Sequence, residues 1–305
     1  MKIGLLLGSV IASIINMQAA DFKLDTARIE ELTGLKGKLN AEEGVFKVTA
    51  PRGDVKVSVD NWQMPPFMGL TSWAAFKPGM KEDAMVMGDL VLFQDEVNPV
   101  MSAALDNGLA VTALHNHFFF DDPKVYFMHI GGEGPVDQLA KGVKAAFDAG
   151  RQVRGKSAQP GKAFAGTIPT RSSVTPEALQ KVLNTKGESK DGMFKAVFGR
   201  TAKMACGCEA TKEMGVNTWA AFAGTDETAV VDGDFAAVED ELQTVLKSLR
   251  KGGINIVAIH QHMTHESPRY VFLHYWGKGK AADLAQILAR TLDVQNKVQQ
   301  TASAQ

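Results

Sequence analysis

"LHNHFFFDDPKVYFMHIGG", from Leu114 to Gly132, and "IHQHMTHESPRYVFLHYWG", from Ile259 to Gly277, are two versions of one motif. Each window begins with an H-x-H pair, passes through an acidic residue and a proline, and reaches a third histidine. All 7 histidines of the 305-residue chain lie inside these two windows. The motif therefore indicates both an internal duplication and a candidate site.

The duplication extends well beyond the histidine windows. "TSWAAF", from Thr71, recurs as "NTWAAF", from Asn217, and "MGDLVLFQDE" recurs as "DGDFAAVEDE". The offset between counterparts stays constant, as His117 and His262 are 145 positions apart and the two tryptophans are 146 apart. We predict a signal peptide at residues 1–20 and a first repeat domain at 21–150. A connector at 151–173 leads to a second repeat domain at 174–295, and a polar tail follows at 296–305.

Hydrophobic periodicity predicts the same order of elements in both copies. In the second copy, apolar runs typical of strands, such as "INIVAIHQHM" and "RYVFLHYWG", alternate with "VEDELQTVLKSLRKGG" and "AADLAQILARTLD", which have helical spacing. The predicted order is strand, strand, helix, strand, strand, helix. We therefore expect an α+β fold of two tandem units, each a two-layer arrangement of antiparallel sheet and helices. The units could share a sheet or pack across a pseudo-two-fold axis.

Composition excludes several classes of function. Lysine plus arginine is 33 against 34 for aspartate plus glutamate, so overall charge does not favour nucleic acid or an anionic membrane as a partner. The opening "MKIGLLLGSVIASIINMQAAD" has the layout of a signal peptide and predicts export to the periplasm. No later segment has the ~18 apolar residues of a membrane helix, so we expect no stable membrane insertion. The oligomeric state is left open.

The spacing of the histidines predicts a metal site. Residues i and i+2 of a strand project from one face, roughly 6 to 7 Å apart, and an even separation of 12 residues returns the third histidine to that face unless a β-bulge intervenes. Three imidazoles with a carboxylate suit a divalent transition metal, Zn²⁺ first and Cu²⁺ second. The predicted metal ligands are His115, His117, His129, His260, His262 and His274.

Acidic residues near the motif are candidates for catalysis. Asp121 and Glu266 follow the H-x-H pairs and would be the general bases of a metal-dependent hydrolase. Asp89 and Asp234, each preceded by a glycine, could orient an imidazole. The seventh histidine, His265, has a phenylalanine as its counterpart and is expected to be a bystander or an extra ligand in one copy only.

Other duplicated residues have structural interpretations. Glu96 and Glu241 are expected at a helix start, where their charge complements the macrodipole, and Trp73 and Trp219 are expected to anchor the core. The two cysteines, in "MACGCEA", have no cysteine counterparts in the first copy. They could be unremarkable thiols, a soft-metal site or a strained redox disulfide.

"MGDLVLFQDEVNPV", "VTALHNH" and "DPKVYFMHIGG" in the first copy, with "IVAIHQHM" and "SPRYVFLHYWG" in the second, resemble the LppY/LpqO family. The resemblance covers nearly the whole mature chain and implies an exported or lipid-anchored bacterial protein with a duplicated domain of unknown function. Members named lipoproteins carry a lipidated cysteine, which this sequence lacks after its apolar leader. The resemblance implies no reaction.

Three functions remain open from the sequence. The first is a periplasmic protein that binds a divalent transition metal through the H-x-H-x11-H motif of each repeat. The second is a metal-dependent hydrolase of an envelope or small-molecule substrate. The third is a non-catalytic envelope binding module in which the histidines are structural. Whether the chain is an enzyme, and whether the two triads form one site or two, is not decided at this level.

Overall fold

The computed structural model describes residues 24–303 of the chain. Its first repeat contains three helices and a series of short and long strands, with one 3-10 turn before β5. In chain order the elements are α1 Thr26–Thr33, β1 Gly37–Asn40, β2 Val45–Pro51, β3 Ser58–Val59, β4 Trp62–Gln63, the 3-10 turn Pro66–Met68, β5 Thr71–Pro78, β6 Ala84–Phe93, α2 Gln94–Asp106, β7 Ala110–His115, β8 Asp121–Asp122, β9 Val125–Gly134 and α3 Val136–Lys156.

The second repeat follows the same order. Its elements are α4 Pro176–Leu183, β10 Gly187–Lys190, β11 Met193–Gly199, β12 Ala202–Lys203, β13 Glu209–Ala210, the 3-10 turn Lys212–Met214, β14 Asn217–Gly224, β15 Ala229–Val238, α5 Glu239–Lys251, β16 Asn255–His260, β17 Tyr270–Gly279 and α6 Ala281–Ser303. The strand, strand, helix, strand, strand, helix order is therefore confirmed as β5, β6, α2, β7, β9, α3 and its counterpart. The protein is an α+β fold of two tandem copies.

The two repeats share one sheet. Among the described residues, 12 strands run in the order β1, β2, β5, β6, β9, β7, β16, β17, β15, β14, β11, β10. The join is the antiparallel contact of β7 with β16, where Leu114 pairs with Ile259. These two residues are counterparts, so the pseudo-two-fold axis passes through their pair. The alternatives left open by the sequence are thus both true: the units share a sheet and are related by a pseudo-two-fold axis.

Side-chain amides complete the join between the repeats. Asn98, on α2, accepts from the Ile256 N–H at 2.8 Å and donates to the Ile256 carbonyl at 3.1 Å. Its counterpart Gln243, on α5, makes the same pair of bonds to Val111, both at 2.9 Å. Buried backbone N–H and C=O groups require partners, and here each repeat supplies an amide to the edge strand of the other.

Helices cover one face of the sheet and leave the other face open. The described helices bury their apolar sides, together with alternate strand residues, in one cluster that spans both repeats. On the opposite surface, which we call the helix-free face, two smaller clusters form under the short hairpins. Phe127 packs there with Val55 and Val57 in the first repeat, and Phe272 packs with Ala202 and Val216 in the second.

Two predicted boundaries need correction. Helix α3 continues to Lys156, so the connector is shorter than 151–173, because the basic segment RQVRGK still packs along α2 and its neighbours. Helix α6 continues to Ser303 through the segment predicted as a polar tail from 296. The predicted signal peptide, 1–20, lies outside the described residues. Within residues 24–303, we find no helix with the length and apolar character needed to cross a membrane.

Candidate metal centre

Strand register places an aspartate beside the third histidine of each motif. On the helix-free face, Asp234 of β15 is paired with His274 of β17, and Trp219 of β14 is paired with Asp234. In the first repeat, Asp89 is paired with His129 in the same way. Directly paired residues of neighbouring strands share a face. The register therefore brings together side chains that are 40 positions apart in the sequence.

The H-x-H pairs lie at the ends of strands and not within them. Strands β7 and β16 stop at the first histidine of each pair, and the second histidine lies in the following turn. Its ring stays close because it stacks on an aromatic side chain, His117 on Phe127 at 3.3 Å and His262 on Phe272 at 3.5 Å between centroids. The expected same-face geometry on one strand was wrong, but the clustering of the rings is present.

A β-bulge is also present in each repeat, but it lies before the H-x-H pair and not between that pair and the third histidine. Register shifts occur between Val111 and Ala113 in β7 and between Ile256 and Ala258 in β16, before the H-x-H pairs. Each shift precedes the residues that pair with the third histidine, so the even spacing across the turn is kept. The third histidine therefore remains on the helix-free face.

The second-repeat cluster consists of Asp234, His260, His262 and His274. Ring centroids of His260 lie 4.9 Å from His274 and 5.1 Å from His262. His262 Nε2 is 3.3 Å from Asp234 Oδ2. Potential ligand atoms of Asp234, His260 and His274 all lie within 4.8 Å of one another. Four side chains from three strands and a turn therefore converge on one small volume.

The first-repeat cluster consists of Asp89, His115, His117 and His129. His115 and His129 have ring centroids 5.2 Å apart, and their Nε2 atoms are 3.1 Å apart. His117 stacks on His115 at 5.1 Å. Two ring nitrogens at this distance are stable only if one of them carries a proton and donates it to the other, because two lone pairs facing each other repel.

Burial disfavours charge in both clusters. Asp234 is 2% exposed, and burial raises the pKa of its carboxyl, while the neighbouring His274, His262 and His260 act in the opposite direction. Burial likewise lowers the pKa of His262 and of His117. Within the described part of the chain, Asp234 Oδ1, His260 Nε2 and Asp89 Oδ1 are buried without a hydrogen-bond partner. These groups are costly to bury unless something else satisfies them.

The two acids proposed as bases from sequence have other contacts. Asp121 accepts from the Val125 N–H at 2.7 Å and from Lys124 Nζ at 2.8 Å. Glu266 accepts from the Tyr270 N–H at 3.1 Å. Both carboxylates thus hold the turn that precedes β9 or β17, and the acids beside the histidines are Asp89 and Asp234. The glycine–aspartate pair kept in both copies was the sequence signal for this.

An open cleft of about 590 Å³ lies beside the second-repeat cluster, lined by Asp234, His262, Trp219 and Lys195 among others. Lys195 Nζ lies 4.5 Å from the centroid of the Trp219 ring. In the first repeat, Lys47 Nζ lies 4.1 Å from the centroid of the Trp73 ring. Both tryptophans are half-buried on the helix-free face. The expectation that they anchor the core was therefore wrong, because both side chains stay partly exposed.

Glu96 and Glu241 do more than complement a helix dipole. Both are fully buried, and each accepts a hydrogen bond from the backbone N–H that begins its own helix. Glu96 also pairs with Arg52, at 2.6 Å, and Glu241 pairs with Arg200, at 3.0 Å. These duplicated ion pairs attach the start of the second helix in each copy to the strand side of the fold.

The remaining candidates stand apart from the clusters. His265 is exposed in the turn before β17, at a φ of 64°. Cys206 and Cys208 are exposed free thiols between β12 and β13, where the Cys208 N–H donates to Cys206 Sγ at 3.4 Å. A side-chain hydrogen bond with Cys208, and after it this backbone contact, lowers the pKa of the Cys206 thiol.

A family model matches residues 27–149 and 177–294, which is most of the chain and covers both repeats. The chain belongs to the family described as Domain of Unknown Function (DUF1259). The matched ranges correspond to the two tandem units described above.

Comparison with other proteins adds little to this. No curated protein matches the chain. Two solved structures of shell proteins match the chain weakly. The trimeric bacterial microcompartment shell protein PduB has 10% identity and a TM-score of 0.21, over 87% of this chain and 92% of that one. The fused permuted hexameric shell protein MSM0275 from the RMM microcompartment has 14% identity and a TM-score of 0.18, over 71% and 86%. TM-scores this low carry no argument about fold or function.

Proposed function

We propose that this protein binds a divalent transition metal at the second-repeat cluster and, as a second site, at the first-repeat cluster. The observation that carries the proposal is a pair of buried atoms without partners, Asp234 Oδ1 and His260 Nε2. They belong to two of the three residues whose potential ligand atoms lie within 4.8 Å of one another. A bound cation would accept both lone pairs.

The donor set suits Zn²⁺ first and Cu²⁺ second. Imidazole nitrogens and a carboxylate oxygen are ligands that both ions accept, and three or four of them complete most of a zinc coordination shell. Burial disfavours the charge of Asp234. A divalent cation reverses that effect, because it stabilises the carboxylate and neutral imidazoles at the same time.

The cleft beside Trp219 supports a second candidate, a metal-dependent hydrolase. A metal at the second-repeat cluster would lie next to a cleft large enough for a small molecule, about 590 Å³. Asp121 and Glu266 stay as predicted bases in this candidate, although both are engaged with backbone N–H groups. Membership of the LppY/LpqO family and export to the periplasm also stay predictions.

The test is elemental analysis of the protein purified without a histidine tag. We expect about two metal ions per chain, falling to about one in either His274→Ala or His129→Ala. His265→Ala is the matched control, because it removes an exposed histidine outside both clusters and should leave the metal content unchanged. Apo-protein should also gain thermal stability when Zn²⁺ is added.

Two outcomes would contradict the proposal. One is the absence of stoichiometric metal together with no shift of the Tm on adding Zn²⁺ or Cu²⁺, which would leave the histidines structural. The other is equal loss of metal in His265→Ala and His274→Ala. The hydrolase candidate requires, in addition, that Glu266→Ala lose turnover while it keeps its metal.

A further inference from the structure

The first repeat has a cavity on the helix-covered side of the sheet, away from the histidine clusters. Its volume is about 500 Å³, and it lies between strands β2 and β6 and helices α2 and α3. Apolar side chains form most of its wall, among them Leu92, Val100 and Phe147, and the charged lining residues are three arginines and one aspartate. Such a lining, apolar with a few polar groups, is typical of a site for a small organic molecule.

An equivalent pocket of about 450 Å³ lies in the second repeat, but more of its lining residues are polar. Gly150 of α3 stands where α6 has Gln295, 145 positions later, the same offset as between the histidines. The Gln295 amide donates to the Ala236 carbonyl at 2.8 Å and to Glu241 Oε2 at 2.7 Å, and it lines the second-repeat pocket with a polar group. A Cβ placed on Gly150 would contact only the Val100 side chain, at 3.6 Å. The first repeat therefore lacks the polar side chain that its counterpart carries at this position.

The guanidinium of Arg154 lines the cavity and has one N–H donor group without an acceptor. The Arg154 side chain is 9% exposed, and it pairs with Asp95 through Nη2 and lies 2.8 Å from Glu96 Oε1 through Nε. In the region that the structure describes, its Nη1 is buried without a hydrogen-bond partner. A buried donor without an acceptor costs about 1–3 kcal/mol. An acceptor carried by a ligand in the cavity would remove that cost.

We propose that this cavity binds a small amphipathic carboxylate, with its carboxylate on Arg154 and its apolar body against Leu92, Val100 and Phe147. Charge-assisted hydrogen bonds from a guanidinium to a carboxylate are among the strongest in proteins, and they gain further where water is excluded. The apolar wall supplies the remaining affinity through burial of the ligand's hydrocarbon. The proposal is independent of metal binding.

Octanoate is the probe, and octanol is its uncharged match. By isothermal titration calorimetry we expect one octanoate per chain, with octanol bound at least tenfold more weakly. Gly150→Gln, which copies the second repeat, should weaken octanoate at least tenfold. Arg154→Gln should weaken octanoate but leave octanol unchanged. Circular dichroism and the Tm report whether each variant is folded, and metal content should stay at the wild-type value in both.

A measurement on the unaltered protein keeps the test decisive if a variant fails to fold. A photoactivatable fatty acid of similar length should label the α3 peptide that contains Phe147, and excess octanoate should suppress the label. The proposal is overturned if octanoate at millimolar concentration does not bind the wild-type protein. It is also overturned if a folded Gly150→Gln binds as the wild type does, or if the label lies outside the cavity.

Discussion

Replacing Asn98 by alanine should destabilise the join between the two repeats more than any other change at that join. Asn98 is 3% exposed and makes two hydrogen bonds to one residue of the other repeat, to the Ile256 N–H at 2.8 Å and to its carbonyl at 3.1 Å. The alanine variant removes both bonds and leaves both backbone groups buried. Beyond the Leu114–Ile259 pair, no strand-to-strand register is present there among the described residues to take over.

The size of the effect follows from the two groups left behind. A buried polar group without a partner costs about 1–3 kcal/mol, so the loss of two partners should lower the free energy of unfolding by about 3 kcal/mol. For a chain of 305 residues, about 3 kcal/mol corresponds to roughly 5 °C in Tm. Asn98→Asp should also destabilise the protein, because it keeps an acceptor for the Ile256 N–H but brings a second acceptor against the carbonyl.

Gln243→Ala is the matched comparison. It breaks the equivalent two bonds to Val111, both 2.9 Å long, but Gln243 is only partly buried, so water can replace the amide. We expect it to cost about 1 kcal/mol, the net value of ordinary hydrogen bonds. Urea unfolding of both variants measures the difference. The reasoning fails if Asn98→Ala costs less than Gln243→Ala or falls within error of the wild type.

Three further outcomes are expected. Arg200→Met leaves the fully buried Glu241 without its cation and should cost about 3 kcal/mol in urea unfolding, whereas a double variant that also makes position 241 apolar should recover much of it. Gly233→Ala should cost about 1–3 kcal/mol, because the new Cβ would lie 2.2 Å from the Tyr275 ring, whereas Gly155→Ala meets nothing within 4 Å in a helix and should be neutral or stabilising in thermal melts. Dialysis against a chelator should lower the Tm of metal-loaded protein, and re-addition of Zn²⁺ should restore it; an unchanged Tm would argue against a bound ion.

Much of the fold could be predicted because the same pattern of elements occurs twice in the sequence. A period-2 pattern before and after the H-x-H motif predicts strands, and the helix that precedes these strands in the second repeat has its acids early and its bases late. Each local signal was supported by its counterpart 145 positions away. The weaker predictions were at element ends, such as Lys156 and Ser303, where composition resembles a linker but packing continues the helix.

The sequence identified two candidate acids for each cluster but could not show which of them lies beside the histidines. Asp121 and Glu266 are near the histidines in the chain, yet they bond to the turn that they belong to. Asp234 is 40 residues from His274 in the sequence and is its direct partner across two strands. Proximity along a chain and proximity across a sheet are unrelated until the register is known.

The sequence by itself determined the duplication, the order of elements and the concentration of every histidine in two equivalent windows, because these follow from residue identity and local periodicity. The tertiary structure decided that the repeats share one sheet, that Asp89 and Asp234 complete the clusters, and that the first repeat has a mainly apolar cavity at Gly150. Each of these depends on contacts between residues far apart in the chain. Such contacts are set by strand register and by the volume left between packed side chains.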